Sequence, residues 1–185
     1  MTSQHSDDAP AFTSKDKAVR REATDGGQAS VSGVAVTIDR PRHELFAYYR
    51  DFANLARFME NVQSIDVIDD KRSHWKVHGP TGSYEWNAVV TQEVDGELIA
   101  WKTEPGADVE SSGSVRFADA NPGRGTVVTA TIGYTPPGGI VGKLVAKVTQ
   151  KEPSIQARRD LRRFKQLMET GEIATSSPPN PQPKS

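Results

Sequence analysis

The chain has 185 residues, a formal net charge of −1 and no cysteine. This length favours one domain and excludes two of substantial size, and the absence of cysteine excludes disulfides, thiolate metal sites and a cysteine nucleophile. Because Lys and Arg nearly balance Asp and Glu, the total charge does not predict a protein that binds polyanions.

Both ends of the chain have the composition of unfolded tails. Residues 1–30 are rich in Ser, Asp, Lys, Arg and Gly, and the last twelve residues read ATSSPPNPQPKS. We expect disordered tails at 1–30 and 173–185 and a folded domain at 31–172. No secretory signal is expected, and no run of about eighteen apolar residues that could span a membrane occurs. These features favour a cytoplasmic protein.

The domain begins with a predicted strand and two short helices. Val34, Val36 and Ile38 alternate with small or polar residues, which is typical of a half-buried strand. Residues 40–59 then carry apolar side chains at mixed three- and four-residue spacing, which is typical of helix. A break near Asp51 predicts two short helices rather than one.

Residues 62–135 predict six further strands in an antiparallel meander. Turn signals separate them: DDK, PTG, DG, EPG and NPGRG. The predicted strands are VQSIDVID, SHWKVHG, SYEWNAVVTQEV, ELIAWKT, ADVESSGSVRFAD and GTVVTATIGYT.

A long helix is predicted over residues 139–173, kinked or split at Pro153. Its apolar positions are Ile140, Leu144, Val148, Leu161, Phe164 and Met168. No other element is long enough to cover one face of the sheet, so a cavity between sheet and helix is expected. The glycines of the preceding TPPGGIVG let the helix begin close to the sheet, and a flexible cavity mouth is the alternative.

This order of elements resembles the helix-grip fold of the SRPBCC superfamily, which contains the START and Bet v 1-like proteins. Within it, four segments resemble the polyketide cyclase/dehydrase and coenzyme Q-binding branch: HWKVHGPTGSYEWNAVV, ELIAWKTEPGADVESSGSVRF, GTVVTATIGYTPPGGIVGKLVAK and DLRRFKQLMETGEI. The resemblance covers about 31–172. It implies an α+β fold in which a seven-stranded antiparallel curved sheet wraps around a long C-terminal helix, with two short helices after the first strand. It also implies a hydrophobic cavity lined by functional side chains.

Aromatic residues on several predicted strands are the candidate cavity lining. In SYEWNAVV, alternation places Tyr84 and Trp86 on one face with Ala88 and Val90. These rings would hold a flat or isoprenoid ligand, or else they form an ordinary filled core. The full candidate set is Trp75, Tyr84, Trp86, Trp101, Phe117 and Tyr134 from the strands and Leu144, Val148 and Phe164 from the helix.

Polar residues give no strong signal for catalysis. His74 and His78 lie on one predicted strand, about 13 Å apart at the usual strand rise, so they cannot share one metal ion. Glu85 would enter the cavity only if the faces of its strand were reversed. The common hydrolase, nucleotide-binding and zinc-protease motifs are absent from the sequence. We expect no metal, no cofactor and no assigned catalytic residue.

The last helix is strongly basic. It carries Lys143, Lys147, Lys151, Arg158, Arg159, Arg162, Arg163 and Lys165. This pattern favours either transient contact with an anionic membrane surface or a simple solvated face. Nucleic acid is not expected as a partner, because no aromatic residues interleave the basic ones.

Three classes of function remain open at this point. The first is binding or transport of a hydrophobic small molecule such as a lipid, a quinone or a polyketide-like aromatic compound. The second is an enzyme that resembles the aromatase/cyclases and acts in the same cavity. The third is an interaction module that docks through the basic helix and has a filled core.

Overall fold

The computed structural model describes residues 30–79, 82–107, 110–135 and 153–174. Within them lie seven strands, two α-helices and one 3₁₀ helix. In chain order these are β1 (Ser30–Ile38), α1 (Arg42–Arg50), the 3₁₀ helix (Phe52–Arg57), β2 (Val62–Val67), β3 (Arg72–Gly79), β4 (Gly82–Val94), β5 (Leu98–Thr103), β6 (Glu110–Asp119), β7 (Thr126–Thr135) and α2 (Pro153–Thr170).

The seven strands form one antiparallel sheet. Their spatial order is β1-β7-β6-β5-β4-β3-β2, so β2 to β7 are a meander and β1 pairs with the last strand. The predicted fold class is confirmed, including the two short helices after the first strand. Asp51 has an extended backbone between those helices, at the predicted break.

An aromatic cluster fills the space where the short helices, the sheet and α2 meet. Phe164 of α2 packs on Phe58 at a ring-centroid distance of 4.8 Å and on Tyr49 at 5.7 Å. Phe117 of β6 meets Phe46 and Tyr49 edge to face at 5.7 and 5.9 Å. All five side chains are buried. Such edge-to-face pairs stabilise the packing beyond the area that they bury.

Polar contacts fix the end of α2 beside the end of β1. The Arg40 side chain donates from Nε to the Met168 carbonyl oxygen at 2.9 Å, and from a second nitrogen to that of Glu169 at 3.2 Å. The Asp39 amide donates to Glu169 Oε1 at 2.8 Å. The two bonds from Arg40 satisfy helix-end carbonyls that have no partner within the helix. They also set the direction of α2 across the sheet.

Pro153 is the first residue of α2, a position where its missing N–H costs no helical hydrogen bond. Downstream of it the predicted apolar stripe is confirmed, because Leu161 and Phe164 are buried and Met168 is partly buried. The predicted segment before Pro153, with Leu144 and Val148, lies outside the described residues. The boundaries of the folded domain and of the two tails therefore stay predictions.

None of the helices in the described ranges is both long and apolar enough to cross a membrane.

Two glycines of the β6–β7 turn provide a test of the packing against β1. Both have positive φ, +78° at Gly123 and +76° at Gly125, but only at Gly125 would an added Cβ overlap the Ile38 carbonyl oxygen. We expect Gly125→Ala to lower the free energy of unfolding by on the order of 3 kcal/mol. The matched Gly123→Ala should lower it by about 1 kcal/mol, the cost of the φ angle alone. Urea denaturation measures both, and equal losses would contradict the close approach.

Candidate functional site

The three tryptophans share the inner face of the sheet, the face that α1 and α2 cover. Trp75 of β3 pairs directly with Trp86 of β4, and Trp101 of β5 lies opposite Val90 of β4. Ala88 and Val90 on the same side of β4 are buried, as the alternation in SYEWNAVV predicted. We call Trp75, Trp86 and Trp101 the tryptophan wall.

The rings of the wall are ordered by short local contacts. Trp75 and Trp86 are nearly parallel, with an interplanar angle of 8° and ring centroids 6.4 Å apart. Trp75 Nε1 donates a hydrogen bond of 2.9 Å to the Ser73 hydroxyl, which is itself 1% exposed. All three tryptophans are only half-buried, although they face inward.

Glycines on neighbouring strands leave room for two of the aromatic side chains. The Trp101 ring lies over Gly113 of β6, where any added Cβ would collide with it. In the same way the Tyr84 ring lies over Gly79 of β3. These glycines therefore have a packing role: they let large rings lie flat along the sheet.

A small cavity separates the wall from the short helices. Its volume is about 20 Å³, with room for about one water molecule. The surface that lines it is apolar. The lining includes Tyr49, Phe52, Leu55 and Met59 from the helical side and Ser73, Trp75, Ala88, Val90 and Trp101 from the sheet.

The structure places two of the predicted cavity residues in the packed core instead of on the cavity wall. Phe117 is 2% exposed and Phe164 is fully buried, because α1 and the 3₁₀ helix fill the space beneath them. Tyr134 lies on β7, paired with Ser111 of β6, but its side chain is outside the described part of the structure. The same is true of Leu144 and Val148.

The helical half of the cavity lining was missed by the sequence analysis. Tyr49 and Phe52 are three residues apart, as are Phe52 and Leu55, so one apolar stripe runs through the break at Asp51. That stripe was the signal for an inner lining. It was interpreted only as helix patterning, because nothing local indicates which surface the short helices cover.

A half-buried carboxyl group lies next to this lining. Asp160 of α2 accepts hydrogen bonds from the Glu60 amide at 3.2 Å and from Gln156 Nε2 at 2.9 Å. Burial nevertheless raises the pKa of Asp160 to about 6. Burial and the nearby Asp160 charge raise the pKa of Tyr49 above its ordinary value, so this phenol stays protonated. Gln156 Oε1 is buried and accepts no hydrogen bond in the part of the chain that the structure describes.

Comparison with known proteins identifies the family. A family model for polyketide cyclase/dehydrase and lipid transport proteins matches residues 38–165. The chain belongs to this family. A crystal structure of a Deinococcus radiodurans protein is 39% identical and has a TM-score of 0.63, with 77% of this chain and 99% of that chain covered.

Two further proteins are similar to this chain. An uncharacterized 17.2 kDa protein of Streptomyces lincolnensis is 26% identical over 73% of this chain and 87% of its own length. A START superfamily protein of Mycobacterium smegmatis shares the fold, with a TM-score of 0.58 at 12% identity, over 76% of this chain and 99% of that one. The predicted membership of the SRPBCC superfamily is confirmed, whereas the coenzyme Q-binding branch stays a prediction.

The polar candidates lie on the outer face of the sheet. His74 Nδ1 is 2.8 Å from Asn87 Oδ1, and His78 contacts Gln63. Glu85 also faces outward. Its Oε1 is 2.7 Å from Lys76 Nζ, and this hydrogen bond and charge lower the pKa of Glu85. The possibility that Glu85 enters the cavity is therefore wrong, because the strand faces are not reversed.

A larger depression of about 450 Å³ is open to solvent near the β2–β3 turn. Arg50 crosses it, with Nε 2.8 Å from Glu93 Oε2 and a second nitrogen donating to the Asp70 carbonyl. Because Arg50 is already paired with Glu93 and the depression is open to solvent, this surface is a weaker candidate ligand site than the tryptophan wall.

The substitution Asp160→Asn tests whether the surroundings of this half-buried carboxyl group raise its pKa. Since its pKa is raised from 3.8 to about 6 in the folded protein, ionisation of Asp160 destabilises the fold. The loss of stability caused by this ionisation is absent below about pH 4 and reaches its full value above about pH 6. Asp160→Asn should thus raise the free energy of unfolding by on the order of 2 kcal/mol at pH 7.5 and have little effect at pH 4.

Thermal unfolding at both pH values measures this difference. Asp70→Asn is the matched control, because Asp70 is exposed in the β2–β3 turn and its substitution should change stability little at either pH. An effect of Asp160→Asn on stability that is the same at both pH values would show that burial does not raise the pKa of this carboxyl group.

Proposed function

We propose that the protein binds a hydrophobic small molecule, such as a lipid, a quinone or a polyketide-like aromatic compound, against the tryptophan wall. The observation that carries this proposal is the exposure of the wall. Trp75, Trp86 and Trp101 lie on the inner face of the sheet but remain half-buried, whereas the inner-face residues Val115 and Val128 on β6 and β7 are completely covered. Large aromatic rings that point inward without full cover are typical of a ligand surface.

The chemistry of the wall favours an apolar, flat ligand. Burying ligand surface against it would contribute roughly 25 cal/mol per Å². Trp75 Nε1 is already bonded to Ser73, so that donor is held in place and the ring presents an apolar face. The family description, which combines polyketide cyclases with lipid transport, supports the same ligand classes.

Binding requires the small cavity to expand. A typical site for a small molecule has a volume of about 300–1,000 Å³, far above the cavity of about 20 Å³ in this structure. The 3₁₀ helix is the element that we expect to move, because its residues Phe52 and Leu55 oppose the wall. A single six-residue 3₁₀ helix can shift at lower cost than a strand in the middle of the sheet.

The first test is native mass spectrometry of the full chain purified gently from its own host. We expect a bound small molecule at near-stoichiometric level, which denaturation then releases for identification. A clean apo mass would contradict the carrier function.

Two variants, each with one alanine replaced by leucine, then locate the bound molecule. Ala88→Leu adds bulk to the wall side of the cavity and should weaken binding by about tenfold or more. Ala118→Leu is the matched control, because Ala118 is exposed on β6 and the change adds the same volume outside the cavity. Titration followed by tryptophan fluorescence measures both affinities. Equal affinities would place the ligand elsewhere.

A second candidate function, a cyclase acting on a polyketide-like substrate, is favoured by Tyr49 and Asp160. Tyr49 lines the cavity and keeps its proton, so it is suited to donate a hydrogen bond or a proton to a carbonyl oxygen. Asp160, with a pKa of about 6, can exchange a proton near neutral pH. Tyr49 is thus a candidate acid at the apolar site, and Asp160 is a candidate base next to its lining.

The cyclase function predicts that Tyr49→Phe abolishes turnover of a synthetic poly-β-ketone thioester while the variant still binds the product. Tyr48→Phe is the control, since its hydroxyl faces outward and accepts a hydrogen bond from Arg57 at 3.0 Å. Chromatography of the cyclised product measures turnover. Equal activity of both variants would exclude Tyr49 as the acid.

A further inference from the structure

The outer side of α2 exposes one isoleucine among arginines. Ile155 is 44% exposed. Arg158, Arg159 and Arg162 follow at positions three, four and seven residues later, so all four side chains share one helix face. The opposite face, with Ala157 and Leu161, is buried. We call these four residues the Ile155 face.

The charges on this face are largely uncompensated. Arg158 and Arg162 form no ion pair with any residue in the described ranges, and Arg159 lies 4.0 Å from Glu60. The other basic residues of α2 form hydrogen bonds or ion pairs within the protein. Arg163 donates to the Phe58 carbonyl oxygen at 2.9 Å, and Lys165 pairs with Glu169 at 2.6 Å. The Ile155 face thus differs from the rest of α2.

The Ile155 face lies at the same end of the sheet as Trp86 of the tryptophan wall. The later end of α2 is fixed beside Asp39 at the end of β1, so its first turns lie toward the opposite end. There Asp160 contacts the amide of Glu60, just before β2 begins. The neighbouring residue Asn61 accepts a hydrogen bond from the amide of His78, near the end of β3. Trp86 follows a few residues later on β4.

An exposed aliphatic side chain surrounded by guanidinium groups complements one kind of surface. Arginine binds phosphate groups through paired N–H donors, and an aliphatic side chain is stabilised when it enters the apolar layer beneath them. We propose that the Ile155 face docks on an anionic lipid membrane. A single-stranded nucleic acid fits less well, because this face has no aromatic side chain on which a base could stack.

Co-sedimentation of the full chain with lipid vesicles tests the proposal. We expect binding to vesicles of phosphatidylcholine mixed with phosphatidylglycerol, little binding to phosphatidylcholine alone, and a loss of binding as salt concentration rises. Each arginine near such a surface contributes about fivefold in affinity. The double variant Arg158→Glu/Arg162→Glu should therefore lose at least about 25-fold.

Two further variants separate docking from general electrostatic attraction. Arg116→Glu/Arg124→Glu makes the same change in net charge at exposed positions away from α2 and should retain binding. Ile155→Asn leaves the charge unchanged and should still weaken binding, because the apolar insertion is lost.

Equal losses in the two double variants would overturn the proposal. So would equal binding of the unchanged chain to both kinds of vesicle, or binding to a single-stranded RNA but to no vesicle. Docking by this face needs no ligand at the tryptophan wall. Protein that is purified ligand-free from its own host but sediments with anionic vesicles would therefore contradict the proposed ligand function and leave the docking proposal intact.

Discussion

The packing of Phe164 against Phe58 and Tyr49 is the interaction on which the arrangement of the molecule depends. It joins α2 to the short helices, and Tyr49 in turn joins them to Phe117 on the sheet. Because these rings interdigitate, α2 has one defined position across β1 and β7. Loss of one ring from such a fully buried contact typically costs about 3–5 kcal/mol. The rest of the inner face is organised around this filled region.

The same cluster explains why the inner face has two parts. Toward β1, β7 and β6, the short helices and α2 fill the space completely, and Val115 and Val128 are fully buried. Toward β3, β4 and β5, the tryptophans remain half-buried. The filled part provides stability, and the part near the wall is where a ligand could be accommodated without loss of the core. A fold of this family can thus combine a rigid core with an adaptable site.

The helix α2 serves two different environments with two faces. Its inner face packs against the aromatic cluster and carries Asp160, whose carboxyl group has a pKa raised to about 6 by burial. Its outer face carries Ile155 together with Arg158 and Arg162, which form no ion pair with any described residue. The raised pKa and the exposed isoleucine each reduce stability or solubility slightly. Features that are unfavourable for the isolated fold are often retained for function.

The strands, the short helices, the break at Asp51 and the inward side of Trp86 could all be predicted from the sequence, because periodicity and turn residues are local signals. The family could also be predicted, through segments spread over the whole domain. The three-dimensional arrangement was needed to show that Phe117 and Phe164 belong to the core, that Tyr49 faces the tryptophan wall, and that Glu85 pairs with Lys76 on the outer face. Each of these depends on strand register and on how deeply the short helices enter between sheet and α2. Those are contacts between residues far apart in the chain, on which a local pattern carries no information.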